Sequence, residues 1–160
     1  MFFNNQKMTI ERANTEDSTM LTELTKQSKA FWGFSEETLA NWSHLLTISE
    51  EYIQENSVFK LIENGEIIGY YSFIKIDEKT LKLDNLFISP KYIKHGFGSI
   101  LMAHFLDQAK LLKIEKITLD AEPNAEMFHK KFGFITIGAL ESSIKNRFLP
   151  IMELKLGVEI

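Results

Sequence analysis

The chain of 160 residues contains no cysteine, which excludes a disulfide frame, a thiolate metal site and a cysteine nucleophile. Only three prolines and eight glycines punctuate it, and it has no internal repeat, linker or low-complexity stretch. It also lacks an excess of positive charge. With 22 acidic against 18 basic residues the formal net charge is -4, which argues against nucleic acid as the main partner, because phosphate contacts need a clustered positive surface. A basic patch confined to one loop stays open. No uninterrupted apolar run approaches the roughly 20 residues that cross a bilayer, and Met1-Phe2-Phe3-Asn4-Asn5 lacks the basic start and apolar run of a signal peptide. The expectation is a soluble cytoplasmic protein with no membrane partner. What is present is enough apolar material, 44% of residues, to bury a full core in a single domain spanning 1–160.

Periodicity divides the chain into elements. Met8–Ala13 alternates apolar and polar residues and predicts a strand, after which Asn14 or Thr15 can cap a helix through Asp17, Met20, Leu21, Leu24 and Ser28. Ser35-Glu36-Glu37 opens a second helical stretch carrying Leu39, Trp42, Leu45 and Leu46, ending somewhere between Ile48 and Asn56. From Ser57 the period becomes strand-like. Asn64-Gly65 between two such runs is a strong hairpin signal, since both residues tolerate the positive φ of a type I′ turn. Asp77-Glu78-Lys79 makes a second turn, so residues 57–89 predict a three-stranded antiparallel meander stopped by Pro90. Phe97, Ile100, Leu101, Phe105, Ala109 and Leu112 then recur at spacings of three and four, which predicts an amphipathic helix. A strand at Lys116–Asp120 follows, and the strand–helix–strand order predicts a right-handed parallel crossover from the strand at 81–89. Pro123 starts a short helix with Ala125, Phe128 and Phe132, capped by Gly133; Phe134–Gly138 and Phe148–Leu156 supply closing strands. The expected class is α/β with a mixed sheet.

The chemistry concentrates in Pro90–Ser99. A helix N-terminus presents N–H groups without intrahelical partners, and its dipole favours anions. Glycines at 96 and 98 remove side chains that would hold a phosphate away from those groups, and Lys94 and His95 add charge nearby. This chemistry fits a pyrophosphate. Two glycines alone also fit an ordinary loop, so other phosphate motifs must be weighed. A P-loop needs Gly-Lys followed by Ser or Thr, which the sequence does not have. A dinucleotide fingerprint needs a third small residue where Leu101 stands, although Asp120 sits roughly where the ribose-binding acid belongs. The four histidines show no metal-ligand spacing, so no metal is expected.

Ile93-Lys94-His95-Gly96-Phe97-Gly98, preceded by Leu86-Phe87-Ile88-Ser89-Pro90, resembles the Q/R-x-x-G-x-G/A segment of the GNAT superfamily of N-acetyltransferases. Ala125-Glu126-Met127-Phe128-His129-Lys130-Lys131-Phe132-Gly133-Phe134 is similar to that family's A-x-x-x-F-Y-x-x-x-G-F helix end. The spacing and element order agree from Met8 to Leu156, and Asp120–Ala125 and Asn146–Pro150 look like a bacterial subgroup with D-P-N-A and G-R-x-L-P segments. Two departures stand out: Ile93 where the family has Gln or Arg, and His129 where it has Tyr.

The resemblance implies a mixed, mostly antiparallel sheet with helices on both faces and a splayed central parallel pair, with the pantetheine arm of acetyl-CoA lying in the splay. It implies an acetyl group moved from acetyl-CoA to a primary amine of a small molecule, peptide or protein; the alternative is a degenerate module that binds the ester without turnover. Main-chain groups of Leu86, Phe87 and Ile88 would bond the arm, with Ile88 N–H as the oxyanion donor. Amides at Ile93, Lys94, His95, Gly96, Phe97, Gly98 and Ser99 would hold the pyrophosphate, and Asn124, Ala125 and Phe128 would flank the distal arm. His129 would either take the place of the Tyr acid or serve as a packing or surface residue. Asp84 has the parity of Leu86 and Ile88 and is the leading candidate base, ahead of Asn85 and Glu122. Trp32 and Trp42 are core aromatics or pocket lining, His44 and His104 are surface or core-edge residues, and Arg147 either holds an acidic substrate group or structures the last turn. Residues 15–56 and 140–150 would shape the acceptor pocket. Closing strands of this kind can pair across a homodimer.

Overall fold

The structure, a computed structural model, describes residues 8–142, 144 and 146–157; the segment Met1–Asn5 lies outside them. The strands are β1 (Met8–Arg12), β2 (Ser57–Glu63), β3 (Glu66–Asp77), β4 (Thr80–Ile88), β5 (Lys116–Asp120), β6 (Ile135–Glu141) and β7 (Phe148–Lys155). The helices are α1 (Ser18–Phe31), α2 (Glu36–Asn41), α3 (Ser43–Leu46), α4 (Glu50–Glu55), α5 (Phe97–Leu111) and α6 (Glu126–Lys131). The strands join in the order β1-β2-β3-β4-β5-β7-β6. β1 runs antiparallel to β2, and β7 antiparallel to both β5 and β6. β4 and β5 are parallel, in register from Thr80↔Lys116 to Lys82↔Thr118, as the strand–helix–strand order predicts. Asn64 and Gly65 at φ 50° and 78° make the expected hairpin turn between β2 and β3.

The chain divides into two compact units. The first comprises Met1–Ser72 with Asn85–Leu106, and the second Phe73–Asp84 with Asp107–Ile160. In the first, strand alternation sends consecutive residues to opposite faces, and each face carries a helix. Val58, Tyr70 and Phe87 meet Leu21 and Leu24 of α1 and Ile53 of α4. Phe59 and Tyr71 face the other way, where Tyr71 packs on Phe105 and its hydroxyl bonds His104 Nδ1 at 2.6 Å on α5. The two adjacent buried tyrosines thus each find a polar partner on a different helix, Tyr70 through Thr25 at 2.5 Å. His104 is a core-edge residue, as expected.

Three local expectations change. Asn14 does cap, with its side chain accepting from Glu16 N–H and Asp17 accepting from Asn14 N–H, but the capped element is a 3-10 turn that leads into α1. The single helical stretch from Ser35 is three short helices. Ser35 and Ser49 each cap a new start, and Thr47 is extended between them. Met20 and Leu112 lie outside the buried stripes and are exposed. Lys113 turns left-handed just after α5 ends.

Gly69 on β3 shows how closely the first unit is built around the end of β4. A Cβ there would meet Ile88 Cδ1 at 2.7 Å and the Phe87 carbonyl at 3.0 Å. Gly69→Ala is expected to cost about 1–3 kcal/mol by overpacking, read as a lower urea midpoint at unchanged slope.

Candidate functional site

β4 is hydrophobic enough to be buried at its start and only half-buried over Asn85–Ile88. Ser89 N–H donates to the Ile68 carbonyl at 2.8 Å, and the Phe87 carbonyl faces Gly69 on β3. Since main-chain groups alternate sides along a strand, those of Leu86 and Ile88 point away from β3. Of the three residues expected to offer main-chain bonds, Leu86 and Ile88 therefore present theirs on the side away from β3, and Phe87 presents its own to β3. The Phe87 side chain joins the α1 core, with its ring 6.0 Å from that of Tyr70.

Pro90 begins a 3-10 turn to Tyr92, a position where its missing N–H costs nothing. Tyr92 anchors the turn through its hydroxyl to Glu66 at 3.2 Å and by an edge contact with Phe97. Lys94 and Gly96 then adopt left-handed φ of 70° and 84° and fold the chain back before α5. Ile100 N–H makes the first helical bond, to the Gly96 carbonyl at 3.3 Å. The N–H groups of Phe97, Gly98 and Ser99 precede that bond and point out of the first turn of a 15-residue helix. A Cβ on Gly96 would meet nothing within 4 Å, so open space lies over the turn. Lys94, His95 and Ser99 are exposed beside it, and Ile93 is half-buried. This arrangement fits a diphosphate: donors aimed outward, a helix dipole of the right sign, and room where a side chain would otherwise stand.

In the second unit β5 ends at Asp120, which pairs with Lys82 at 3.1 Å. Pro123–Ala125 form a 3-10 turn that leads into α6, with Asn124 exposed and Ala125 and Phe128 half-buried. His129 is 7% exposed, wedged between Phe128 and Phe134, and its Nδ1 is a buried atom without a hydrogen-bond partner among the described residues. Burial pushes its pKa from 6.5 down to about 4, so at neutral pH it is an uncharged imidazole. Asp84 is exposed at the point where β4 passes from the second unit to the first. Glu122 accepts from Arg147 Nη2, so the pair ties the strand end to the turn before β7, and burial lowers the guanidinium pKa. The pair gives Arg147 a structural role at the last turn. Among the described residues no group of three or more His, Asp or Glu is placed to hold a metal, and no helix is long and apolar enough to cross a membrane.

Two features of the first unit go unread in the sequence. Asn85, treated there only as a weak base, donates to Ser72 Oγ at 2.9 Å, and Ser72 also bonds the Tyr52 hydroxyl at 2.9 Å. Lys29 is buried among aromatic rings. Its signal was available: Leu21, Leu24, Thr25, Ser28 and Lys29 form one buried helical stripe, and following that stripe to its end puts a lysine in the core.

The profile of the acetyltransferase (GNAT) domain matches residues 21–156. No curated protein matches by sequence. Among solved structures, a PaiA N-acetyltransferase from Thermoplasma acidophilum in complex with coenzyme A is similar at TM-score 0.77 and 20% identity, covering 94% of this chain and 99% of that one. The ribosomal-protein-S18-alanine N-acetyltransferase from Escherichia coli is similar at TM-score 0.73 and 19% identity, covering 96% of each chain. The putative acetyltransferase yncA from Salmonella typhimurium with acetyl-CoA reaches TM-score 0.70 at 19% identity, again covering 96% of each. At such identities these likenesses establish the fold.

Proposed function

Because the chain belongs to the GNAT acetyltransferase family, we propose that residues 1–160 act as one N-acetyltransferase domain that moves the acetyl group of acetyl-CoA to a primary amine. The observation that carries this reading is the turn at Lys94–Ser99. A left-handed Gly96 with open space at its Cβ stands at the head of α5, where main-chain donors suit a diphosphate. Solved relatives with coenzyme A or acetyl-CoA support the same ligand.

Acetyl-CoA supplies the acetyl group as a thioester, whose carbonyl oxygen gains negative charge when an amine attacks. The chain's own residues answer three needs. Ile88 N–H, directed away from β3, donates to that oxygen. Asp84, an exposed carboxylate of the same strand parity, takes the proton of the amine. His129, neutral at pH 7, offers an imidazole N–H as a hydrogen-bond donor to the departing sulfur in place of a tyrosine hydroxyl. Lys94–Ser99 hold the phosphates through main-chain amides, so a side chain such as Ile93 at the Gln/Arg position is compatible with binding.

Thermal unfolding with and without ligand, paired with a free-thiol assay on a panel of amines, tests the reading. Acetyl-CoA at 100 times its Kd is expected to stabilise the chain by about 2.7 kcal/mol, and at least one primary amine is expected to release thiol. Stabilisation by a nicotinamide dinucleotide and not by acetyl-CoA would overturn the assignment. Tight binding with no thiol release across the panel would make the protein an acyl-CoA-binding module.

A further inference from the structure

The turn read as the diphosphate cradle has little to hold it from within. Lys94 takes a left-handed φ of 70° although it carries a Cβ, a conformation disfavoured at residues other than glycine. Among the described residues no main-chain N–H from Lys94 to Gly96 donates a hydrogen bond. The bond before them, from Ile93 N–H to the Pro90 carbonyl, is long at 3.5 Å. Support comes from side chains at the two ends. The Tyr92 and Phe97 rings meet edge to face with centroids 6.0 Å apart, so the residue entering the turn touches the residue that opens α5. The Tyr92 hydroxyl then reaches off the turn to both carboxylate oxygens of Glu66, at 3.2 and 3.4 Å. Glu66 is the first residue of β3, directly after the Asn64-Gly65 hairpin turn, and Tyr92, Phe97 and Glu66 all belong to the first unit.

Desolvation and the Glu66 carboxylate both raise the Tyr92 pKa, so the hydroxyl keeps the proton that it donates. A bond from a phenol to a carboxylate is charge-assisted and stronger than its neutral counterpart. Glu66 is exposed, so the bond contributes little to the core. What it fixes is the spacing between the chain that enters the turn and the helix that leaves it. Binding to donors already in place needs less ordering than binding that must assemble them. Ile93 offers the turn no polar side chain, so affinity depends on the main-chain donors being in place. Loosening the turn should therefore weaken the hold on the phosphates without disturbing Asp84, Ile88 or His129, the groups assigned to the acetyl end.

We propose that Tyr92 is a positioning residue for the diphosphate, clamping both ends of the turn so that its donors stand ready before acetyl-CoA arrives. This rests on the acetyltransferase reading above. Acetyl-CoA is titrated calorimetrically into the full chain and into its Tyr92→Phe, Tyr92→Ala, Glu66→Ala and Glu66→Gln variants. Tyr92→Phe keeps the ring contact and loses the hydroxyl, and is expected to raise Kd about threefold. Tyr92→Ala loses both and should raise it about tenfold or more. Glu66→Ala should match Tyr92→Phe, and the two together should be no worse than either alone, because they break one bond. Glu66→Gln keeps an acceptor oxygen and should bind within about twofold of the native chain. With an acceptor amine, KM for acetyl-CoA should rise by the same factors while kcat at saturation holds. In the unliganded chain the Ile100 amide, bonded to the Gly96 carbonyl, should exchange faster in Tyr92→Ala while the β2 amides exchange as before. Native affinity in Tyr92→Ala would overturn the proposal. So would a kcat that falls along with affinity, or effects of Tyr92→Phe and Glu66→Ala that add in the double variant. Should the native chain fail to bind acetyl-CoA, the transferase reading falls and the clamp is judged by Ile100 exchange alone. Equal exchange in native and Tyr92→Ala chains would then overturn it.

Discussion

Gly98→Glu is expected to abolish acetyl-CoA binding while leaving the unliganded chain as stable as before, or slightly more so. Gly98 is the second residue of α5, in the turn whose N–H groups are read as the phosphate cradle. Replacing glycine inside a helix by glutamate gains about 0.5–1 kcal/mol of helix propensity. A carboxylate in the first turn also interacts favourably with the helix dipole, by about 0.3–1 kcal/mol. The same carboxylate places a negative charge where the diphosphate would sit and competes for its donors. Affinity should therefore fall by more than a hundredfold, and the thermal shift with acetyl-CoA should vanish although the apo midpoint does not drop. Gly98→Ala separates bulk from charge and should lose much less. If Gly98→Glu still responds to acetyl-CoA like the native chain, the loop assignment is wrong.

The second large effect concerns His129, whose pKa is depressed to about 4 by burial against an ordinary 6.5. Because the folded form binds its proton less readily than the unfolded form, the stability linked to this group is fully present above pH 6.5 and is lost as pH falls toward 4. The shift corresponds to roughly 3 kcal/mol across that window. Urea unfolding at pH 7.5 and pH 5 should show the native chain losing a substantial part of this amount. His129→Leu, a near-isosteric apolar change on a helix, should be at least as stable at pH 7.5 and should lose most of that dependence. An equal loss between the two pH values in native and variant chains would show that His129 is not the responsible group. In the thiol assay, the same variant should lower kcat by about 100–1,000-fold if its N–H serves the departing sulfur. The native kcat should then show no ionisation near pH 6.5, because the imidazole is already neutral there. A full kcat in His129→Leu would remove it from the chemistry.

His129 also shows how a residue can be legible while its state is not. The A-x-x-x-F-Y-like segment marks the position, and elementary chemistry makes any histidine a proton donor near neutral pH. The uncharged form is dictated by Phe128 and Phe134, the latter beyond the end of its helix, which exclude water from the ring. Asp84 and Glu122 divide in the same way. Both are acids that the sequence offers as bases, yet the structure pairs Glu122 with Arg147 and exposes Asp84 in the middle of β4. Arg147 is 25 residues away from Glu122, and no local pattern announces that pair.

By itself, the order of residues determined the strands, α5, the Asn64-Gly65 turn, the parallel β4–β5 connection and the glycine turn at 96–98. Each of these is written in short-range terms: a period of two or 3.6, a residue that tolerates positive φ, a helix start after a proline. The tertiary structure alone decided that Lys29 lies under Phe34, Trp42 and Phe87, that Asn85 donates to Ser72, and that the Ile88 amide points away from β3. Those facts depend on which distant segments come to share a low-dielectric interior. Desolvation and pairing are set by the neighbours that folding brings together, and spacing along the chain does not encode them.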